Sequence, residues 1–247
     1  MTRLSGKRAL VTGGASGFGA GIAAKFIAEG AEVIIADINA QAGLSYAEEL
    51  GAAFVEMDVS SNESVAAAAA GLLDLNILVN NAGIGHLPMP MTDLSEAEFD
   101  RLFEVNMKSV YLTARHFVAG MKKLAENNQD AAILNIASTA GVSPRPNLTW
   151  YNSSKGWMIT ATRSMAVELA TSNIRVNALN PVAGETPLLA TFMGGDTPEN
   201  RARFLKTIPL GRFSTPQDLG NVACFLCSDE ASMITGSAVE VDGGRCI

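Results

Sequence analysis

The stretch Leu10-Val11-Thr12-Gly13-Gly14-Ala15-Ser16-Gly17-Phe18-Gly19 decides how the chain is read. An apolar run ends in a turn whose glycines recur as G-x-x-x-G-x-G, and a helical run over 21–29 follows at once. Glycine carries no Cβ, so such a turn can take positive φ and bring backbone N–H groups and a helix N-terminus close to a pyrophosphate. A merely flexible turn has the same composition, and the context decides between the two. The next apolar run, Val33-Ile34-Ile35-Ala36, ends in Asp37. A carboxylate at that offset can accept hydrogen bonds from both adenosine ribose hydroxyls and repels the extra phosphate of NADP. No Lys or Arg occupies 13–20 or 38–40 to offset the repulsion. The expected cofactor is therefore NAD; a strand-end turn is the plain alternative for Asp37.

Outward from this unit, short Val-, Ile- and Leu-rich runs alternate with stretches of helical periodicity. That pattern predicts an α/β fold, a doubly wound parallel sheet of about seven strands with helices on both faces. Strands are expected at 7–12, 32–37, 54–58, 76–80, 131–137, 174–179 and 238–241. Helices are expected at 18–29, 41–50, 61–73, 96–126, 151–171 and 216–228. No linker or repeat divides the 247 residues, of which 48% are apolar, so 1–247 is read as one domain. Residues 181–210 form the one long irregular stretch, the expected substrate loop, with room for a short helix at 186–193.

Composition excludes several classes. A net charge of −7 gives no footprint for nucleic acid. No apolar run reaches the roughly 18 to 20 residues that cross a bilayer, and Met1 to Gly6 is polar with no hydrophobic segment behind it. The expectation is a cytoplasmic protein without nucleic-acid or membrane partners. Three cysteines, Cys224, Cys227 and Cys246, suit a reducing compartment. His86 and His116 lack the spacing of metal ligands, so no metal is expected.

The remaining strand ends carry candidate site residues. Asp58 can accept from an adenine amino group while Val59 packs on the ring, although Asp58 could equally cap the next helix. Asn80-Asn81-Ala82-Gly83 combines small residues and amides that allow close approach. Strand five delivers Ser138 at its carboxyl end, where open parallel sheets place their ligand crevice. Tyr151-Asn152-Ser153-Ser154-Lys155 follows, and residues four apart on a helix share a face, so Tyr151 and Lys155 can point into one site.

Taken together, Thr12-Gly13-x-x-x-Gly17-x-Gly19, Asn80-Asn81-Ala82-Gly83, Asn106, Ser138 and Tyr151-x-x-x-Lys155 resemble the short-chain dehydrogenase/reductase family over essentially the whole chain. The resemblance implies a Rossmann-type sheet and hydride transfer between a nicotinamide cofactor and a secondary alcohol or ketone. It makes Tyr151 the general base. A free phenol has a pKa of about 10, so a nearby ammonium, that of Lys155, helped by the positive nicotinamide ring of the oxidised cofactor, is expected to favour the phenolate. Ser138 would hydrogen-bond the substrate oxygen, and Asn106 would hold a water that relays protons from Lys155. A buried helix Asn satisfied by a backbone carbonyl is the other reading of Asn106. The implied cofactor set is Gly13, Ser16, Gly17, Phe18, Gly19, Asp37, Ile38, Asp58, Val59, Asn81, Ala82, Gly83, Tyr151, Lys155, Pro181 and Thr186. Within Pro181-Val182-Ala183-Gly184-Glu185-Thr186, Val182 stands where the family usually has glycine, which puts the local backbone path in question.

The substrate is expected to touch Ser138, Thr139, Ala140, Trp150, Tyr151, Leu188 and Phe192, with His86, Arg145, Leu189 and Met193 near by. Most of these are apolar, which points to a small, fairly hydrophobic, cyclic or aromatic alcohol. Arg145 could pair with a carboxylate, but a loop arginine beside prolines is usually solvated. Alternatives are a 3-oxoacyl-[acyl-carrier-protein] reductase, whose relatives resemble NADPH users with a basic residue near Ser16, and a dinucleotide-binding regulator without turnover. Helices 96–126 and 151–171 carry apolar positions beyond one core-facing stripe, and with the resemblance they imply a homotetramer.

Overall fold

Consecutive apolar positions in the central strands are explained by a sheet covered on both faces. The computed structural model describes residues 2–72, 74–126 and 130–247. Strands β1 (Arg8–Thr12), β2 (Glu32–Asp37), β3 (Ala53–Glu56), β4 (Ile77–Asn80), β5 (Ala131–Ile136), β6 (Ile174–Pro181) and β7 (Ala238–Val241) pair in parallel in the order β3-β2-β1-β4-β5-β6-β7. Side chains alternate between faces along a strand. Ala9, Val11, Val33, Ile35, Ile77 and Val79 enter the core beneath α1 (Gly17–Ala28), α2 (Ala40–Leu50) and α9 (Pro216–Cys227). Leu10, Ile34 and Leu78, one residue out of step, enter the core beneath α3 (Asn62–Ala70), α5 (Ser109–Glu126) and α6 (Thr149–Leu169). Each fully buried Leu or Ile contributes about 1.5–3 kcal/mol. The period of two therefore builds two cores from one set of strands.

The order reverses between β1 and β4, so the loops after those strands part and leave a crevice at their carboxyl ends. Hydrogen bonds stitch this seam. Thr12 Oγ1 donates to the Val79 carbonyl at 3.2 Å and accepts from the N–H groups of Asn81 and Ala82, both at 3.0 Å. Asn81 Nδ2 donates to the carbonyls of Thr12 at 2.9 Å and Gly13 at 3.0 Å. Deeper in, Thr113 Oγ1 donates to Asn80 Oδ1 at 2.8 Å, Asn80 Nδ2 to Asn135 Oδ1 at 2.8 Å, and Asn135 Nδ2 to Thr162 Oγ1 at 2.9 Å. This buried polar row joins β4, β5, α5 and α6, and its partnered amides avoid the cost of isolated ones.

Gly19 lies against the glycine-rich turn. A Cβ there would stand 2.2 Å from the Gly13 carbonyl oxygen and 2.4 Å from Asn81 Nδ2, so only glycine lets α1 start this close to β4.

Three elements depart from the sequence expectations. The helix expected over 96–126 is broken into α4 (Glu96–Phe103), a π-helical turn (Glu104–Lys108) and α5. The wide turn carries Asn106 inward, fully buried, where its carboxamide is bonded across to Ile84. The helix expected over 61–73 ends at Ala70 against Gly71, and residue 73 lies outside the described residues. The segment 181–210 contains α7 (Leu189–Met193), shorter than the expected 186–193, and a second helix, α8 (Pro198–Leu205). The start signal of α8 is present in the sequence: Thr197 caps it, accepting from Asn200 N, and Pro198 occupies the first turn.

Removing the Asn81 carboxamide leaves the Thr12 and Gly13 carbonyls without that donor. Asn81→Ala is expected to lower unfolding stability by about 2 kcal/mol, read from urea denaturation; a loss under about 0.5 kcal/mol would show that the stitch is not structural.

Candidate active site

One cleft runs along the carboxyl ends of the strands. At its β2 end, α1 begins at Ser16, whose side chain makes no capping bond, so the first N–H groups of the helix are not occupied by it. Asp37 ends β2, and its carboxylate accepts from Ala15 N at 3.1 Å and from Asn39 N at 3.0 Å. It thus anchors the glycine-rich turn while lining the cleft beside the exposed Ile38. Asp58 accepts from the N–H of Ser60 at 2.9 Å and its hydroxyl at 2.7 Å. The cap of α3 is Ser61, so the alternative role for Asp58 as helix cap is not the one observed.

Gly13, Ser16, Gly17, Phe18, Asp37, Ile38, Asp58, Val59, Asn81, Ala82, Gly83, Tyr151, Lys155, Pro181 and Thr186 all line this cleft. Gly19 does not: it lies behind the turn, packed on Gly13 and Asn81. Phe18 rests on the backbone of Gly184, where a Cβ would come within 2.2 Å of the ring, and Thr186 packs over Gly17. Val182 turns into a small separate core with Leu189, Met193, Ile208 and Phe213, and its N–H donates to the Val241 carbonyl at 3.2 Å. The branched side chain is thereby housed, and the glycine that approaches Phe18 stands at 184.

At the β5 end, Ser138 opens a 3-10 turn (Thr139–Gly141), accepting from Ala140 N at 3.1 Å. Tyr151 lies in the first turn of α6 and Lys155 one turn later, 6% and 5% exposed. Ser138, Thr139, Tyr151, Lys155, Leu188 and Phe192 line the cleft together, with the Phe192 and Tyr151 ring centroids 4.7 Å apart. Two expected substrate contacts fall outside it. Ala140 is buried beneath the turn against Leu148 and Tyr151, and Trp150 faces away, donating to the Met91 carbonyl at 2.9 Å and stacking edge-on with Phe99. Asn106 also stands behind the wall. Its Oδ1 accepts from Ile84 N at 2.9 Å, and its Nδ2 donates to the Ile84 carbonyl at 2.9 Å and to Ser154 Oγ at 3.1 Å. It clamps the loop after β4 to α6, with Gly83 passing between its Oδ1 and the Lys155 Nζ.

The electrostatics differ from expectation. Burial pushes the Tyr151 phenol up to about 12, against a downward pull from the Ser138 hydroxyl and the Arg145 charge. Burial likewise brings the Lys155 amine down to about 8. Lys155 Nζ sits 6.0 Å from the Tyr151 ring centroid and donates to the Ile136 carbonyl at 2.8 Å. The side chain expected to lower the phenol is thus occupied by the end of β5, and desolvation dominates both groups.

Residues not anticipated also line the cleft, including Met57, Ile84, Arg101, Val105, Pro187 and Phe204. Phe204 belongs to α8, whose capping signal was its only trace in the sequence. Cys224 and Cys227 lie in the core under α9, with burial pushing the Cys227 thiol up to about 12, far from a reactive thiolate.

A family model described as enoyl-(acyl carrier protein) reductase matches residues 13–245. The 4-formylbenzenesulfonate dehydrogenase of Comamonas testosteroni is 47% identical, over 97% of this chain and 97% of that protein. The chain belongs to the short-chain dehydrogenase/reductase family. Its relatives include the 2-dehydro-3-deoxy-L-rhamnonate dehydrogenase (NAD(+)) of a Sphingomonas strain, 34% identical over 98% of this chain and 96% of the relative. A crystal structure of a 3-ketoacyl-(acyl-carrier-protein) reductase from Brucella melitensis complexed with NADH matches at a TM-score of 0.94, with 48% identity over 99% of this chain and 100% of that one. As a member of this family the chain is an oxidoreductase acting on CH–OH groups. Its cleft fits a nicotinamide dinucleotide: a glycine-rich turn at a helix start without a side-chain cap, a carboxylate at the end of β2, and Val59 among the lining groups.

A buried lysine writes its pKa into stability. Below pH 8 the amine is charged in both folded and unfolded chains, and the burial cost is carried in full. Between about 8 and the ordinary 10.5 the folded amine gives up its proton first, so stability should climb. Urea unfolding across this window should show wild type gaining about 3 kcal/mol relative to Lys155→Met; a difference independent of pH would contradict the burial of a titrating amine.

Proposed function

We propose that the chain is an NAD-dependent dehydrogenase/reductase for small cyclic or aromatic secondary alcohols and their ketones, in which 1–247 form one catalytic unit and 181–210 cover the substrate. The observation that carries this reading is the convergence of Ser138, Tyr151 and Lys155 on the cleft that also holds the glycine-rich turn and Asp37. The choice of NAD rests on the Asp37 carboxylate with no basic side chain at 38–40. It agrees with the NAD(+) and NADH in the descriptions of two relatives.

A bound nicotinamide would supply the hydride chemistry, as acceptor from the carbinol carbon or donor to the carbonyl carbon. The Ser16–Phe18 backbone would hold the pyrophosphate, Asp37 the adenosine ribose, Asp58 and Val59 the adenine, and Thr186 the nicotinamide side. Ser138 orients the substrate oxygen by hydrogen bonding. Tyr151 takes the hydroxyl proton in oxidation and returns it in reduction. With its pKa at about 12, the phenol is protonated at neutral pH, ready to act as the acid in ketone reduction. In the oxidative direction each pKa unit above the working pH costs about 1.4 kcal/mol, a cost already net of the Ser138 hydrogen bond and the Arg145 charge. Asn106 acts as a positioning residue, holding the loop after β4 against α6.

A second reading has a specific observation behind it, because the Brucella structure at 48% identity is described as a 3-ketoacyl-(acyl-carrier-protein) reductase and holds NADH. The expectation that such reductases use NADPH therefore does not separate it from the lead reading. Rates with NAD and NADP across cyclic and benzylic secondary alcohols, their ketones and a 3-oxoacyl thioester separate the two. NAD-linked turnover of the alcohols is expected, with Tyr151→Phe lowering kcat by about 100-fold or more while NADH binding persists. Turnover of the thioester alone would overturn the alcohol assignment.

Self-association as a homotetramer is part of the proposal, supported by Tyr111 on α5 and Trp157 and Val167 on α6, which are 53%, 37% and 80% exposed. Equilibrium sedimentation should give four times the 25.8 kDa chain mass, and a monomer would refute it.

A further inference from the structure

Arg145 is a cationic side chain of the cleft with no carboxylate partner among the described residues. It lies on the loop between Ser138 and Tyr151, half-buried, and lines the cleft beside them. Among the described residues no carboxylate pairs with it, and its guanidinium rests on the face of Phe204, 4.8 Å from the ring centroid. A second guanidinium, that of Arg245, stands 5.0 Å from the same ring, and its like charge acts on Arg145. Burial and Arg245 both push the Arg145 pKa below the ordinary value, yet a guanidinium stays charged in proteins. Among the described residues its N–H donors meet no side-chain acceptor of the cleft, which leaves the fork open to an incoming anion.

The cleft is polarised along its length. The acids that line it, Asp37 and Asp58, follow β2 and β3 on one side of the β1–β4 seam. On the β5 side stand Lys155 and Arg145 with no lining acid, and the Lys155 ammonium is already engaged with the Ile136 carbonyl. The walls there, Leu188, Phe192, Ile84 and Phe204, are apolar. Apolar walls beside a forked donor suit a ring that carries an oxyanion.

We propose that Arg145 is a specificity-determining residue that binds a carboxylate or sulfonate on the substrate's ring, away from the reacting carbon, so that the preferred substrates are anionic ring alcohols and their carbonyl counterparts. This rests on the alcohol dehydrogenase reading above and narrows it. Arg101, the other cleft-lining arginine, is exposed on α4 and is not required.

The test compares kcat/KM for 1-phenylethanol, 4-(1-hydroxyethyl)benzoate and 4-(1-hydroxyethyl)benzenesulfonate with NAD, in wild type, Arg145→Met and Arg145→Lys. Methionine keeps a flexible apolar side chain on Phe204, and equal melting temperatures verify the fold. The anionic-to-neutral ratio is expected to exceed 10-fold in wild type. It should fall about 10- to 100-fold in R145M, chiefly through KM, and recover in part in R145K. The carboxylate and sulfonate arms show which oxyanion is preferred. A ratio near one in wild type, or one that R145M leaves unmoved, overturns the proposal. Calorimetric titration of benzoate and benzenesulfonate into the chain, with and without NADH, keeps the two readings separable. Arg145-dependent binding without turnover of any alcohol removes the dehydrogenase reading and supports the anion site, whereas turnover without charge preference or anion binding removes the anion site alone.

Discussion

The stitched seam between β1 and β4 is the constraint on which the molecule depends. A parallel sheet that changes winding direction must leave a gap at the reversal, and exposed backbone groups in that gap would compete with any ligand. Thr12 and Asn81 satisfy those groups with short polar side chains. The gap therefore stays open for a ligand while the strands beneath it stay paired. The polar row from Thr113 through Asn80 and Asn135 to Thr162 continues the same solution under the β5 side, beneath the strand end that delivers Ser138.

Above the seam the structure holds a costly arrangement. A phenol and an amine, both almost fully buried, are pushed by desolvation toward their neutral forms. The frame holds both in place: Lys155 by the Ile136 carbonyl, Tyr151 by the Phe192 ring. Perturbed titrating groups in a cleft are where chemistry is sought.

The fold was legible because the sheet writes itself twice into the sequence, once as apolar runs and once as the helical stripes that cover them. All seven strands fall within a few residues of their expected places. The cleft was legible at the strand ends, where Asp37, Asn81 and Ser138 close their runs. What escaped has local physical causes. The π-helical turn depends on a bond from Asn106 to a loop 22 residues away in sequence, which no periodicity records. Ala140 and Trp150 were placed by proximity to Ser138 and Tyr151, but a 3-10 turn tucks the first inward and a bond to the Met91 carbonyl swings the second out. The desolvation of Tyr151 in the cleft was not readable, because burial depends on elements distant in sequence while the neighbouring residue types are local. Arg145 looked like a solvated loop residue until α8 brought Phe204 beneath it.

The small apolar cluster of Val182, Leu189, Met193, Ile208 and Phe213 stands apart from the two large cores under the sheet. Val182 and Leu189 of this cluster also line the cleft, so substitutions among its members reshape that wall without touching the side chains packed beneath the sheet. A loop cluster can therefore vary where the strands beneath it cannot.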